Sequence, residues 1–301
     1  MSIFKNPHFL LIVTTLFWGG NAIAGKFAIG HVSPMMLTFF RWAIALAIIN
    51  TFAKKYLRAD WVAIKENWLY LLLMGGFGYT AFNFFLYSSL QYTSVINVAL
   101  EQSAMPVVIF ALNYALYRTG VTWLQILGYC LTLVGVLVTV SAGDPIGMLV
   151  SQTTGLNRGD VLMAGAAICY GGYSVALRAK PEMHWVSLLT CLIAGALIFS
   201  VAGVGVEYSL GQTKFPITLQ GILVCLFAGI FPSLLSQGFF IYGVNALGAN
   251  RAGLYINLVP IFAALLAVSL LGEELHVFHA LAFVLVVGGI LLAQRAESSK
   301  S

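Results

Sequence analysis

The 301-residue sequence predicts an all-α membrane protein in which ten transmembrane helices form two inverted five-helix repeats around a central cavity. Composition is the first observation: 60% of the residues are hydrophobic and 8% are charged, against about a half and a quarter in soluble domains. The second is a set of ten apolar runs of helical length. The third is an internal repeat, in which the second half of the chain matches the first.

Charged residues, Pro or Asn bound each apolar run, and a helix that crosses the bilayer needs about 20 residues. The continuous apolar character excludes the alternating strands of a membrane β-barrel. Lys5 and the Ala22-Ile23-Ala24 sequence imitate a cleaved export signal, but Trp18 and Lys26 within the run favour a retained helix. The expected limits are 8–28, 34–53, 68–90, 95–117, 122–141, 159–179, 184–206, 219–242, 249–271 and 277–294.

The basic residues predict the orientation of the chain. With the N-terminus in the cytoplasm, eleven Lys and Arg residues fall on cytoplasmic loops and tails and three fall outside. Because positive residues concentrate on the cytoplasmic side, we expect a multi-pass plasma-membrane protein with both termini in the cytoplasm. This topology accounts for the net charge of +5 without a nucleic-acid partner.

The two halves of the sequence align with each other. The segment from Pro106 to Leu137 aligns without gaps on Pro260 to Leu291, at an offset of 154. At an offset of 152, Trp18-Gly19-Gly20 falls on Tyr170-Gly171-Gly172. Five helices is an odd number, so the two repeats have opposite orientations, as in transporters that work by alternating access. We expect a first repeat at 1–141, an outer linker at 142–158, and a second repeat with a short cytoplasmic tail at 159–301.

Four motifs along the chain occur in a characteristic order: Phe17-Trp18-Gly19-Gly20-Asn21 with Lys26, Phe40-Arg41-Trp42, the Pro106/Pro260 pair, and Leu271-Gly272-Glu273-Glu274-Leu275 followed by Gly288-Gly289-Ile290-Leu291. With these motifs the sequence resembles the drug/metabolite transporter superfamily, and specifically its ten-helix EamA-type members, over essentially the whole chain. In the first copy, Arg118-Thr119-Gly120 departs from the Gly-Glu of the second. The resemblance implies export or exchange of small metabolites, amino acids or drugs through a central cavity, and it carries no invariant catalytic motif.

Ionisable side chains within the membrane are costly, so they face a cavity or a partner. Glu101 lies near the middle of segment four, and two interpretations stay open. It is a proton-coupling or substrate-ammonium site, or it forms a structural ion pair with Arg41 or Lys26. We expect structural roles for both cations, with Arg41 bracing backbone carbonyls and Lys26 reaching the interface. Contact with a substrate carboxylate is the alternative for Arg41.

Polar and aromatic positions that recur in both halves predict the cavity lining. Tyr79 and Asn83, for example, align with Ser233 and Gln237. Interhelical hydrogen bonding is the alternative role for such residues. Pro106 and Pro260 interrupt equivalent helices and are predicted hinges, with a static kink as the alternative. The predicted substrate-binding residues are Trp18, Asn21, Tyr79, Asn83, Asn97, Glu101, Tyr173, Gln237 and Tyr255.

Together these features predict a secondary transporter that exports or exchanges small amphipathic metabolites, with aromatic or neutral amino acids as the leading class. Proton antiport through Glu101 and facilitated diffusion are both left open. The alternatives are a phosphate-ester or cationic-drug carrier of the same fold and, in another class, a membrane-embedded enzyme. We expect a small-molecule substrate, the lipid bilayer as solvent, no cofactor and no metal. A monomer is expected, with a dimer as the alternative.

Overall fold

A computed structural model describes residues 6–118, 122–151 and 157–298, and over these ranges the chain contains helices and connecting turns but no β-strand. The predicted all-α, ten-helix fold is confirmed, and the predicted limits differ from the observed ones by at most six residues. In the described ranges, α1 to α9 are long and apolar enough to cross a membrane, and α10 is a shorter apolar helix. The helices are α1 (Pro7–Ala28), α2 (Pro34–Ala59), α3 (Trp68–Ser89), α4 (Val95–Tyr117), α5 (Trp123–Val140), α6 (Arg158–Ala179), α7 (Trp185–Ser209), α8 (Leu219–Leu247), α9 (Arg251–Leu271) and α10 (Val277–Ala293).

Polar capping side chains begin several of these helices, because the first N–H groups of a helix have no partner within it. Asn6 Oδ1 accepts a hydrogen bond from His8 N at 2.9 Å at the start of α1. Asn157 and Asp160 form a reciprocal capping box at the start of α6. The same motif begins α5. These caps set the boundaries between consecutive apolar segments.

Two local differences from the sequence prediction have simple causes. Helix α2 continues to Ala59, past the expected end at residue 53, through Lys54, Lys55 and Arg58. Long basic side chains extend to the interface, so charge alone did not end the helix. The linker contains an additional short helix, Pro145–Ser151. Asp144 Oδ1 accepts a 2.7 Å hydrogen bond from Gly147 N at its start, so turn residues serve here as a helix cap.

The helix contacts repeat between the two halves. Helix α5 packs along α10, and α2 packs along α7. Helix α1 contacts α8 and α9, just as α6 contacts α3 and α4. Exchanging each helix for the one five positions away therefore preserves these main contacts, as the internal repeat predicts.

Irregular backbone also occurs at equivalent positions. Helix α3 contains a π-helical turn at Gly76–Ala81, and α8 contains one at Phe231–Leu235, which agrees with the offset of 154. Helix α4 is interrupted at residues 103–104, and α9 by a 3-10 turn at Ile256–Leu258. Each of these last two breaks lies just before one of the predicted hinge prolines. Whether those prolines act as hinges stays a prediction.

The peripheral helices α5 and α10 cross at glycines. A Cβ atom on Gly128 would collide with the carbonyl oxygen of Gly289 and lie 3.0 Å from Ala293 Cβ. A Cβ on Gly289 would in turn collide with the carbonyl oxygen of Gly128. Small residues allow this close backbone approach, which is a common way of packing membrane helices.

We expect Gly128→Ala to lower the thermal unfolding midpoint of the detergent-purified protein, because overpacking costs about 1–3 kcal/mol. Gly205→Ala is the matched control, since nothing lies within 4 Å of its Cβ position. That control should be neutral or slightly stabilising, because Ala favours a helix over Gly by about 1 kcal/mol. Equal midpoints for the two variants would contradict the close crossing.

Candidate functional site

A cavity of about 380 Å³ lies between the two halves, within the volume range of small-molecule sites. Eight helices line it: all except α5 and α7. Its wall is mostly apolar and aromatic. The side chains with hydrogen-bonding groups are Trp18, Asn21, Arg41, Trp42, Tyr79, Asn83, Gln102, Ser103, Tyr170, Ser174, Gln237 and Asn257.

Arg41 is the centre of a hydrogen-bond network at the cavity wall. Its Nη1 lies 2.8 Å from Asn21 Oδ1, 2.6 Å from Asn83 Oδ1 and 2.6 Å from the Tyr87 hydroxyl. Its Nε donates to Ser233 Oγ at 2.5 Å. The acceptors come from α1, α3 and α8, so a single side chain of α2 connects four helices across both halves.

No carboxylate neutralises the charge of Arg41 within the part of the chain that the structure describes. All four of its hydrogen-bond acceptors are neutral, and its guanidinium carbon lies 4.8 Å from the centre of the Trp42 ring. Arg41 nevertheless belongs to the cavity wall, although only 6% of its surface is exposed. The cavity therefore carries an uncompensated positive charge beside an otherwise apolar space.

Aromatic side chains build the wall next to this charge. The rings of Trp42 and Tyr79 stack with centroids 4.7 Å apart and an interplanar angle of 13°. Tyr173 packs behind Tyr79, and their hydroxyl oxygens are 3.5 Å apart. On the other side, Trp18 Nε1 donates to the Pro232 carbonyl at 3.3 Å. These contacts hold flat ring faces around the cavity.

Two buried acids lie outside the cavity lining. Glu101 in α4 is 6% exposed and Asp160 in α6 is 4% exposed. Both oxygens of Glu101 and the Oδ1 of Asp160 have no hydrogen-bond partner. Neither Arg41 nor Lys26 forms an ion pair with Glu101, so the structural pairing considered from the sequence is not observed among these residues.

The class of protein follows from the similarity of the chain to known proteins. A model of the EamA-like transporter family matches residues 6–141 and 157–294. The chain belongs to the EamA-like transporter family. It is therefore a multi-pass membrane transporter of the drug/metabolite superfamily, with the lipid bilayer and a small-molecule substrate as its partners, and the resemblance seen in the sequence is confirmed.

Individual relatives support this assignment over nearly the full chain. The "Uncharacterized transporter YyaM" of Bacillus subtilis (strain 168) is 24% identical, covering 96% of this chain and 93% of the relative. A transporter of Archaeoglobus fulgidus is 25% identical, covering 96% and 97%. A WAT1-related protein of Arabidopsis thaliana is 22% identical, covering 97% and 86%. A solved structure titled "Crystal structure of protein" has a TM-score of 0.63 at 19% identity, covering 98% and 99%, and supports the fold alone.

The cavity lining contains five of the nine predicted substrate-binding residues. Both predicted hinge prolines also belong to it. None of these placements tests substrate binding, which stays a prediction. The five residues are Trp18, Asn21, Tyr79, Asn83 and Gln237.

The other four predicted residues lie outside the lining. Glu101 and Tyr173 have the positions given above. Asn97 contacts His279 of α10, with Asn97 Oδ1 3.2 Å from Nε2 of the histidine. Tyr255 lies near the start of α9, where its hydroxyl is 2.5 Å from His8 Nδ1. The structure thus distributes the predicted residues between the cavity and the contacts around it.

Lys26 also lies outside the cavity lining. Its Nζ donates to the carbonyl oxygens of Leu90 and Thr93, both at 2.9 Å. Leu90 follows the C-terminal end of α3, where a cation is favourable. This bonding attaches α1 to the turn between α3 and α4, which agrees with a structural role.

Sequence reasoning missed several lining residues, and one of them had a detectable signal. Tyr170 aligns with Trp18 at the offset of 152, and both line the cavity. Trp42, Ser174 and Gln102 had no comparable signal, because their apolar or polar neighbours do not reveal which side of the helix faces inward. The repeat symmetry therefore predicted how far along its helix a lining residue lies better than it predicted which side of the helix faces the cavity.

The Arg41 network predicts a stability effect for Tyr87→Phe. Tyr87 accepts from Arg41 and donates to Asn21 Oδ1 at 2.8 Å. Removing the hydroxyl breaks its hydrogen bonds to Arg41 and Asn21, and a hydrogen bond to a charged group contributes about 1.5–3 kcal/mol. We expect a lower thermal unfolding midpoint in detergent. Tyr208→Phe, at a tyrosine that is 72% exposed, is the matched control, and an equal shift in both variants would contradict the network's role.

Proposed function

We propose that this protein is a secondary transporter that exports or exchanges small amphipathic carboxylates by alternating access, with aromatic and neutral amino acids the first class to test. The uncompensated charge of Arg41 at the wall of the cavity is the observation that carries this proposal. In a poorly solvated space, such a charge attracts an anionic group much more strongly than it does in water.

The geometry of Arg41 suits a carboxylate. Its Nε and Nη1 are held by fixed acceptors, so the guanidinium is ordered before a substrate arrives. Preorganisation reduces the entropy cost of binding, and charge-assisted hydrogen bonds from Arg are among the stronger ones. A single cation balances one negative charge, which favours a monocarboxylate over a phosphate-ester dianion. A cationic drug would be repelled.

The remaining wall suits the rest of such a molecule. The rings of Trp42, Tyr79 and Trp18 form an aromatic part of the wall, against which an aromatic or aliphatic body can pack. Asn257 and Gln237 supply neutral oxygens for an ammonium or hydroxyl group. Over the described residues the lining contains no Asp, Glu, His or Cys, which supports transport over the enzyme alternative, because acid–base or nucleophilic chemistry needs such groups.

Alternating access is supported by the symmetry of the helix breaks. The π-turns of α3 and α8 and the interruptions of α4 and α9 occupy equivalent positions in the two halves. In transporters built from inverted repeats, discontinuous helices surround the midplane site and one half rocks against the other. Pro106 and Pro260 are the proposed hinges. The excess of basic residues on one side supports cytoplasmic termini in a plasma-membrane protein, and a monomer stays the expected state with a dimer as the alternative.

Transport assays on reconstituted liposomes test the proposed substrate class with three compounds that share one phenyl-ethyl body. They are 3-phenylpropionate, phenylalanine and phenethylamine. We expect exchange of the acid and the amino acid but not the amine. Arg41→Gln should lower exchange of both carboxylates at least tenfold, as the loss of a charge-assisted bond of about 1.5–3 kcal/mol implies. Arg41→Lys, which keeps the charge but loses the planar fork, should give an intermediate rate.

Arg158→Gln is the matched control, since Arg158 is exposed at the start of α6. Gel filtration and thermal unfolding of each variant separate a binding defect from a folding defect. Transport of the amine at the rate of the acid would contradict carboxylate recognition. Competition by phosphorylated compounds, but not by amino acids, would favour the phosphate-ester alternative. Absence of exchange for every compound, including non-aromatic amino acids, would reject the proposed function.

A further inference from the structure

Glu101 and Asp160 form a buried pair of acids between α4 and α6, outside the cavity. Of their four carboxyl oxygens, only Asp160 Oδ2 has a partner, the Asn157 N–H at 2.9 Å. The other three are buried without one. The two carboxyls lie close to each other where the first part of α4 packs on α6, but not in the geometry of a complete hydrogen bond. Buried carboxyl oxygens without donors are costly and need a ligand.

The surrounding helices supply no cation for this pair. The first part of α4, Val95–Gln102, packs against α1, α5, α6, α9 and α10. Helices α5 and α9 contribute no ionisable side chain at this end. The ionisable side chains from the other helices and from the α9–α10 connection are Lys26, Arg158, Asp160, Glu273 and His279, together with the exposed Glu274 and His276.

Apart from Asp160, each of these groups is occupied elsewhere or exposed. Lys26 donates to two backbone carbonyls, and His279 contacts Asn97. Glu273 accepts hydrogen bonds from the backbone N–H groups of residues 95 and 96, at 2.8 and 3.1 Å. Arg158 is exposed. Among the residues that the structure describes, the carboxyl pair therefore has neither a counter-ion nor a set of donors.

A proton is the ligand that satisfies this arrangement. Two adjacent carboxyls in a low-dielectric site cannot both ionise without a large electrostatic cost, so they hold one proton between them. A protonated Glu101 has an O–H to donate toward Asp160 Oδ1. Asp160 Oδ2 already accepts a hydrogen bond from Asn157 N, so Glu101 is the donor of the pair in this arrangement.

We propose that Glu101 and Asp160 are the proton-binding pair of this transporter, and that release and rebinding of their shared proton drive the movement of α4 against α6. The proposal rests on the transport function proposed above. Loss of the proton leaves two buried negative charges in contact, which favours a conformation that separates or hydrates them. The pair is then a two-state element that a proton gradient can bias.

The pair lies close enough to the cavity to influence it. Glu101 belongs to the last turn before the interruption of α4, and its carbonyl accepts a 2.9 Å hydrogen bond from Ala104 N in that turn. The next two residues, Gln102 and Ser103, line the cavity, and Pro106 follows. A shift of this turn that accompanies deprotonation therefore moves groups that contact the substrate.

The experiment uses the full-length protein in liposomes that contain a pH-sensitive dye. Its substrate is phenylalanine, or whichever compound of the panel is exchanged. Wild type should accumulate this substrate under a pH gradient and change the internal pH when substrate is added. The Glu101→Gln and Asp160→Asn variants should show no change of internal pH when substrate is added. Their gradient-driven accumulation of substrate should be at least tenfold lower than that of wild type. Exchange at equal pH, which needs no net proton movement, should stay detectable. Glu182→Gln, at an exposed acid, is the matched control and should behave like wild type.

Several results would overturn the proton pair. Wild type that exchanges substrate without any proton flux would reject it while leaving the proposed transport function intact. Accumulation driven by a sodium gradient instead of a pH gradient would assign the pair to Na⁺. Unchanged proton flux in both amide variants would exclude these two residues.

A second measurement does not depend on transport. Infrared spectra at neutral pH should show a protonated-carboxyl C=O band that shifts in D₂O and is lost in Glu101→Gln but not in Glu182→Gln. Absence of this band from wild type would reject the shared proton. Because the spectrum needs no substrate, failure of the proton pair and failure of the transport function are distinguishable.

Discussion

The buried charge of Arg41 is the constraint on which the arrangement of the central helices depends. A guanidinium at membrane depth costs a few kcal/mol or more unless other groups replace its hydration shell. Here the replacements are neutral oxygens from α1, α3 and α8, and α8 belongs to the other half of the molecule. Solvating one side chain of α2 therefore brings four helices to a common point. Because none of these oxygens is charged, the positive field of Arg41 is not cancelled, and it extends into the cavity that forms beside it.

Most of the irregular turns lie around the same cavity, although the π-helical turn Ala267–Leu271 at the end of α9 does not. Lipid-exposed backbone must satisfy its own hydrogen bonds, so helix breaks are tolerated in membranes where they are buried or line a polar space. The π-turns of α3 and α8 and the interruptions of α4 and α9 all contribute residues to the cavity wall. Helices α5 and α10, in contrast, pack through Gly128 and Gly289 with no irregular turn inside either helix. The repeat thus combines a closely packed peripheral pair with symmetric, irregular helices around the cavity.

The fold was largely predictable from the sequence, and the cavity lining only in part. Bilayer thickness dictates helix length and apolarity, so hydropathy located all ten helices within a few residues. A sequence gives the position of a residue along a helix but not the rotation of the helix in the bundle. For this reason the sequence did not distinguish Tyr170, which lines the cavity, from Tyr173, which lies behind Tyr79. Asp160 shows a further limit: its proximity to Glu101 depends on how α4 and α6 pack, which no one-dimensional pattern encodes.

The separation of the two charge centres has a consequence for coupling. If Glu101 lined the cavity beside Arg41, the two side chains would neutralise each other, and a carboxylate substrate would have to compete with an internal carboxylate. The acids lie instead on the α4–α6 contact, so Arg41 stays available for an anion. In the proposed mechanism, proton and substrate then do not compete for one site, and their coupling passes through the interrupted turn of α4. Such coupling requires that both ligands bias the same conformational equilibrium, and this turn lies between the two centres.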